Sequence, residues 1–182
     1  MKTLKLCLLS LAVVVAGTMI GCSTTSTKSA DVSASIRTSL DQAGFKDVSV
    51  SQDRDKGVVT LGGHVATDAD KSQAETIART YAGTQVVANQ IAVLPLGAEH
   101  QAKEVNSDLD NGIESNLDAA LITAKLRKSV NFSVKNNVVT LTGDVNSESK
   151  RAQAEQVAAA VPNVRQVVNE LQVKGQKATS SN

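Results

Sequence analysis

Gly57-Val58-Val59-Thr60-Leu61-Gly62-Gly63-His64-Val65 returns 80 residues later as Asn137-Val138-Val139-Thr140-Leu141-Thr142-Gly143-Asp144-Val145. The match extends outward. Gln73-Ala74-Glu75 meets Gln153-Ala154-Glu155, Ala78 meets Ala158, and Val87, Asn89 and Val93 meet Val167, Asn169 and Val173. A fixed offset of this kind marks two copies of one small folding unit and excludes a single large domain. Positions that the copies share are scaffold, and a specific function belongs where they differ.

Each copy opens with a helical pattern. Val32, Ile36 and Leu40 recur every fourth residue in the first, and Ile122, Leu126 and Val130 in the second, which places them on one helix face. Asp31 and Asp118 stand at the predicted helix starts, where a carboxylate caps free N–H groups. Alternation follows at Val48-Ser49-Val50 and Phe132-Ser133-Val134, the mark of a strand with one buried face. Read this way, the second copy is shorter than the first between helix and hairpin.

Turns at 53–57 and 135–137 lead into strands 58–65 and 138–145, so each copy holds a hairpin. Gly63 and Gly143 inside the second strand predict a bulge or a close backbone approach. A second helix follows Thr67 or Ser147 as N-cap, with Ala74, Ile77, Ala78 and Tyr81 or Ala154, Val157, Ala158 and Val161 turned inward. Gly83 or Pro162-Asn163 ends it, and a last strand runs through Val87 and Val93 or Val167 and Val173. The fold class is α+β: two tandem αββαβ units, each a three-stranded sheet with two helices on one face.

The N-terminus is of another kind. Lys2 and Lys5 precede an apolar run from Leu6 to Ala16, shorter than the roughly 20 apolar residues of a membrane span. Met19-Ile20-Gly21-Cys22 then resembles a lipobox, in which the cysteine thiol takes a diacylglyceryl group and becomes the new N-terminus. The alternative is an ordinary secretory signal cut near Ala30. With Cys22 acylated, residues 1–21 leave as signal peptide and Cys7 with them, so cysteine catalysis and disulfides drop out. Each buried methylene contributes about 0.8 kcal/mol to such an anchor. Residues 22–30 read as a flexible polar tether.

Aromatic residues are 2% of the chain, so stacking platforms for bases are absent and nucleic acid is not an expected partner. His64 and His100 are isolated, no metal spacing occurs, and the glycines bracket a strand where a phosphate loop would open a helix. No enzyme activity, cofactor or small-molecule substrate is predicted. The overall charge of +1 is unevenly spread: net −2 over 31–97, −5 over 98–118 and +4 over 119–175. Within 98–116, Val105, Leu109 and Ile113 are spaced by four, and Leu117 and Leu121 continue the register. This acidic linker is either separate or one helix with the start of the second unit. Residues 176–182 are polar and predicted to be disordered.

The run Val-Val-Thr-Leu-x-Gly-x-Val, the helix with Gln-Ala-Glu-x-x-x-Ala and the closing Val-x-Asn-x-[Ile/Leu]-x-Val resemble the BON domain, over 31–97 and 117–175. The resemblance implies a bacterial envelope or stress protein. Members with a lipid anchor bind anionic phospholipid through the second domain and support outer-membrane integrity. Here that implies contact through Lys125, Arg127 and Lys128, read on the first helix of the second unit, Lys150 and Arg151, which open its second helix, and Arg165. The expected location is the periplasmic face of the outer membrane, or the periplasm if Cys22 is unmodified. The competing expectation is a stress-response interaction module or holdase with an envelope protein partner. It would use the outer sheet face and edges, with the acidic linker docked on the basic second unit.

Overall fold

The computed structural model describes residues 28–173 and 179–181. The first unit comprises α1 (Ser33–Gln42), β1 (Val48–Asp53), β2 (Val58–Val65), α2 (Asp68–Ala82), β3 (Val86–Asn89) and β4 (Ala92–Val93). The second comprises α3 (Glu99–Thr123), β5 (Asn131–Lys135), β6 (Val138–Thr142), α4 (Glu148–Ala159), β7 (Gln166–Asn169) and β8 (Thr179–Ser181). In both, the hairpin is antiparallel and the strand after the second helix runs parallel to the hairpin's second strand. β4 resumes that parallel pairing along β2 after a break, and the Asp144–Gln172 bridge is its counterpart.

Both helices of a unit bury their apolar faces on the same side of its sheet. Ile36 and Leu40 meet Ala74 and Ala78 over Val59 and Leu61 in the first unit; Leu117 and Leu121 meet Ala154 and Ala158 over Val139 and Leu141 in the second. The predicted caps of α2 and α4 are in place: Thr67 Oγ1 accepts from the Asp70 N–H at 3.1 Å, and Ser147 Oγ from the Lys150 N–H at 3.3 Å. The close approach at the strand glycines is also present. A Cβ on Gly63 (φ +84°) would stand 1.9 Å from the Asp47 carbonyl oxygen, and one on Gly143 (φ +119°) 2.5 Å from that of Ser129.

The second unit's first helix differs from its sequence reading. It is the C-terminal part of α3, and its buried face is Ile113, Leu117 and Leu121. Linker and unit are therefore one helix. Ile122 is exposed, and Leu126 and Val130 are buried from the turn that follows. The two series share a period of four, and packing against α4 and β6 selects between them. The shortening disappears with this correction; only the hairpin turn is tighter, closed by Asn136 and Asn137 at positive φ. Asp118 lies inside α3 and caps nothing, and its carboxylate accepts from Arg127 Nε at 2.5 Å. Asp110, from the acidic linker, binds the hairpin backbone, accepting the Asn136 and Asn137 N–H groups at 2.8 and 2.9 Å.

The ends of the folded units lie further out than the composition implies. Ser29 exchanges hydrogen bonds with Arg54, and the Ala30 carbonyl accepts from Gln52 and Gln85, so 28–30 are docked and not free tether. Thr179–Ser181, placed in a disordered tail on polarity alone, pair antiparallel with β7.

The outer sheet faces are not open to partners where the units meet. Val58 and Ala88 pack on Val138 and Val168, the same two positions from each copy. Gln166 reaches across with its side-chain amide, donating to the Val87 carbonyl at 2.7 Å and accepting from the Asn89 N–H at 3.1 Å. That one carboxamide does for the edge of β3 what a neighbouring strand would do. Lys56 Nζ meets Glu170 Oε2 at 2.5 Å beside it. The hydrogen bond and charge of Glu170 hold the Lys56 ammonium above its usual value against the opposing pull of burial. The pair's contribution is therefore complete at neutral pH and is lost as pH rises through the raised Lys56 value. A double-mutant cycle with Lys56→Gln and Glu170→Gln is expected to give a coupling of about 0.5–1 kcal/mol at pH 7, since Lys56 is partly solvated. No coupling in urea unfolding would remove the pair from the account.

Candidate functional site

Gly143 sets the geometry of one end of the second unit. Its approach to Ser129 brings the turn after α3 against the connection from β6 to α4. Ala124 caps α3, and Lys125 takes a left-handed conformation (φ +58°) that turns the chain away from the helix. Arg127 pins the turn: it pairs with Asp118, donates to the Val130 carbonyl at 3.3 Å, and lies 5.3 Å from the centre of the Phe132 ring. Lys125 and Lys128 are left exposed on that pinned turn, and Lys150 is exposed in the first turn of α4. Exposed Ile122 stands one turn back on α3. Asp144 and Glu148 are also exposed on the β6–α4 connection, so the patch is cationic but not purely so.

Lys125, Arg127, Lys128 and Lys150 thus share one end of the domain, although the first three sit on the turn and not on the helix. Arg151 is not with them. It is 5% exposed, with its guanidinium turned inward to the Asn169 carbonyl. Arg165 follows the far end of α4, about 18 Å along a helix of this length, and pairs with Asp68 of the first unit at 3.1 Å. Cys22 lies outside the described residues.

The structure also reveals a buried network in each copy. Asn169, with no exposed surface, donates to the Arg151 carbonyl and Glu155 and accepts from the Leu171 N–H. Asn89 repeats this with the Lys71 carbonyl, Glu75 and the Ile91 N–H. Both asparagines sit where the parallel strand breaks, and they tie that break to the second helix. Their recurrence at one offset was the signal available in the sequence.

Among the described residues, no helix is long and apolar enough to cross a membrane, and no three His, Cys, Asp or Glu gather where they could hold a metal.

Two αββαβ units, each with a glycine-pinned hairpin and an asparagine at the strand break, define a tandem repeat protein of one recognisable class. The chain belongs to the BON domain family, whose family model matches residues 28–95 and 109–175. It is 29% identical over 146 residues to Osmotically-inducible protein Y of Escherichia coli (strain K12), covering 79% of this chain and 71% of that protein. It also aligns with two solved structures of CdsD, a structural protein of the Type III secretion system of Chlamydia trachomatis. These have 15% and 16% identity and TM-scores of 0.35 and 0.32, covering 78% and 81% of this chain and 91% and 98% of theirs. At those scores the likeness carries no functional argument.

Proposed function

We propose that this is a non-catalytic stress-response protein of the bacterial envelope, anchored at the outer membrane through a lipid on Cys22. Its second BON domain rests on anionic phospholipid and thereby supports membrane integrity. The observation that carries the reading is the gathering of Lys125, Lys128 and Lys150, all exposed, around one end of that domain. The name of the relative, which speaks of osmotic induction, supports the stress context. The lipobox supports the anchor, and from Cys22 to Lys28 the chain can reach about 20 Å, which keeps the first domain near the bilayer.

Each basic side chain near an anionic surface contributes about 1 kcal/mol. Reversing all three, as Lys125→Glu, Lys128→Glu and Lys150→Glu, is therefore expected to weaken binding to phosphatidylglycerol vesicles at least tenfold. The assay uses the chain with Cys22→Ser, starting at that residue, so that an acyl group does not dominate. Equal binding to neutral and anionic vesicles, or an unchanged affinity in the triple variant, would sink the proposal. Mass spectrometry of the mature N-terminus tests the anchor separately.

A further inference from the structure

We propose that the seam between the two domains binds a small tetrahedral dianion of the phosphate class, held between Lys71 of α2 and Arg165 of the connection from α4 to β7. A polar cleft of about 280 Å³ opens there, with both residues among those that line it. The site is distinct from the cationic end at Lys125, Lys128 and Lys150.

Lys71 is half-buried, and among the described residues its ammonium has neither an ion-pair nor a hydrogen-bond partner. Burial pushes it below its usual value. The Arg165 charge adds to that depression, while Asp68, Glu75 and Asp110 oppose it. The two nearest carboxylates have other engagements. Glu75 binds Arg79 at 2.6 Å and the Asn89 amide at 2.9 Å, and Asp68 pairs with Arg165 at the rim, where both side chains are more than 60% exposed. A rim pair of that kind is weak and exchangeable. The fold therefore holds two cations from different domains beside one cleft, one of them desolvated and without a counter-ion. A guanidinium fork and an ammonium lining the same cleft match the oxygens of a phosphate.

The duplication sharpens the case. Lys71 occupies the position of Arg151, and Arg165 that of Gln85. In the second copy the Arg151 guanidinium is turned inward onto Asn169, and in the first copy Gln85 holds the Ala30 carbonyl. Only the pairing of one copy's Lys71 with the other's Arg165 puts both cations into a shared cleft. That is where the two copies differ in chemistry while their scaffold is the same.

The test uses the full chain in thermal unfolding and in NMR titration with inorganic phosphate, against chloride at matched ionic strength. Phosphate at ten times its Kd is expected to raise the Tm by about 3 °C beyond chloride. Lys71→Gln is expected to raise the Tm by about 2 °C without phosphate, because it removes an unpaired desolvated charge, and to abolish the phosphate response. Arg165→Gln also abolishes the response, and the triple variant at Lys125, Lys128 and Lys150 keeps it. An equal Tm in phosphate and chloride, or a response retained in either Lys71→Gln or Arg165→Gln, would overturn the proposal. Phosphatidic acid vesicles, whose headgroup is a phosphomonoester able to reach the dianion, are added to the phosphate complex to separate the sources. Displacement of phosphate identifies a lipid headgroup as the ligand, and retention identifies the free anion.

Discussion

Gly63→Ala is expected to lower the unfolding free energy by at least about 3 kcal/mol, with loss of the first domain's cooperative transition in urea. Two costs combine. The residue stands at φ +84°, a left-handed conformation that costs a side-chain-bearing residue about 1–3 kcal/mol. The new methyl also meets the Asp47 carbonyl at 1.9 Å, so the backbone leading into β1 has to move. That carbonyl accepts the His64 N–H at 3.3 Å, and the movement breaks this bond as well. Gly143→Ala is expected to behave similarly in the second domain, where the obstructing Ser129 carbonyl lies 2.5 Å away. Gly83→Ala is the control. Its φ of +61° and ψ of −117° also disfavour a side chain, but nothing lies within 4 Å of the added carbon, so only the backbone cost of about 1–3 kcal/mol applies and no neighbouring segment has to move. A Gly63→Ala protein with the same urea midpoint as Gly83→Ala would refute the steric account.

Asn169→Ala is expected to cost about 3 kcal/mol, nearly as much, for an electrostatic reason. The side chain is wholly buried and makes three hydrogen bonds, to the Arg151 carbonyl at 3.2 Å, to Glu155 at 3.0 Å and from the Leu171 N–H at 3.2 Å. Alanine removes the buried acceptor of the Leu171 N–H and both donations to the helix, and a buried group left unsatisfied costs about 1–3 kcal/mol before relaxation. Asn169→Asp is expected to do no better, because it keeps the acceptor for Leu171 but sets a carboxylate against Glu155. Hydrogen exchange at the Leu171 amide gives the local readout: protection falls in both variants if the bond matters, and unchanged protection would show that it does not. Asn89→Ala repeats the experiment in the first domain with Glu75 and Ile91.

What could be read without coordinates was local chemistry. Thr67, Ser147, Gly63 and Gly143 act where their residue types require. The repeat of Val-Val-Thr-Leu marks two sheets with the same three-strand arrangement because each copy carries its own apolar pattern. The misread parts depend on tertiary choice. Ile113-Leu117-Leu121 and Ile122-Leu126-Val130 are equally periodic, and only the surface they meet decides which is buried. Arg151 opens a helix, as a solvated residue would, yet it turns inward and donates to the Asn169 carbonyl. The seam did leave a trace: Val58-Val59, Val138-Val139 and Val167-Val168 are apolar on both sheet faces, where a sheet covered on one side only would alternate. Nothing in the sequence said that the second face of each copy would meet the other copy.

The bridge made by Gln166 also constrains how this gene can be cut. The first copy, severed near residue 97, would keep its core but bare the Val87 carbonyl, the Asn89 N–H and the valine and alanine beside them. Such a half-molecule is an adhesive ribbon, prone to self-association. What began as two interchangeable copies is now a pair in which the later one chaperones the earlier, and neither can be lost alone without leaving its sibling sticky.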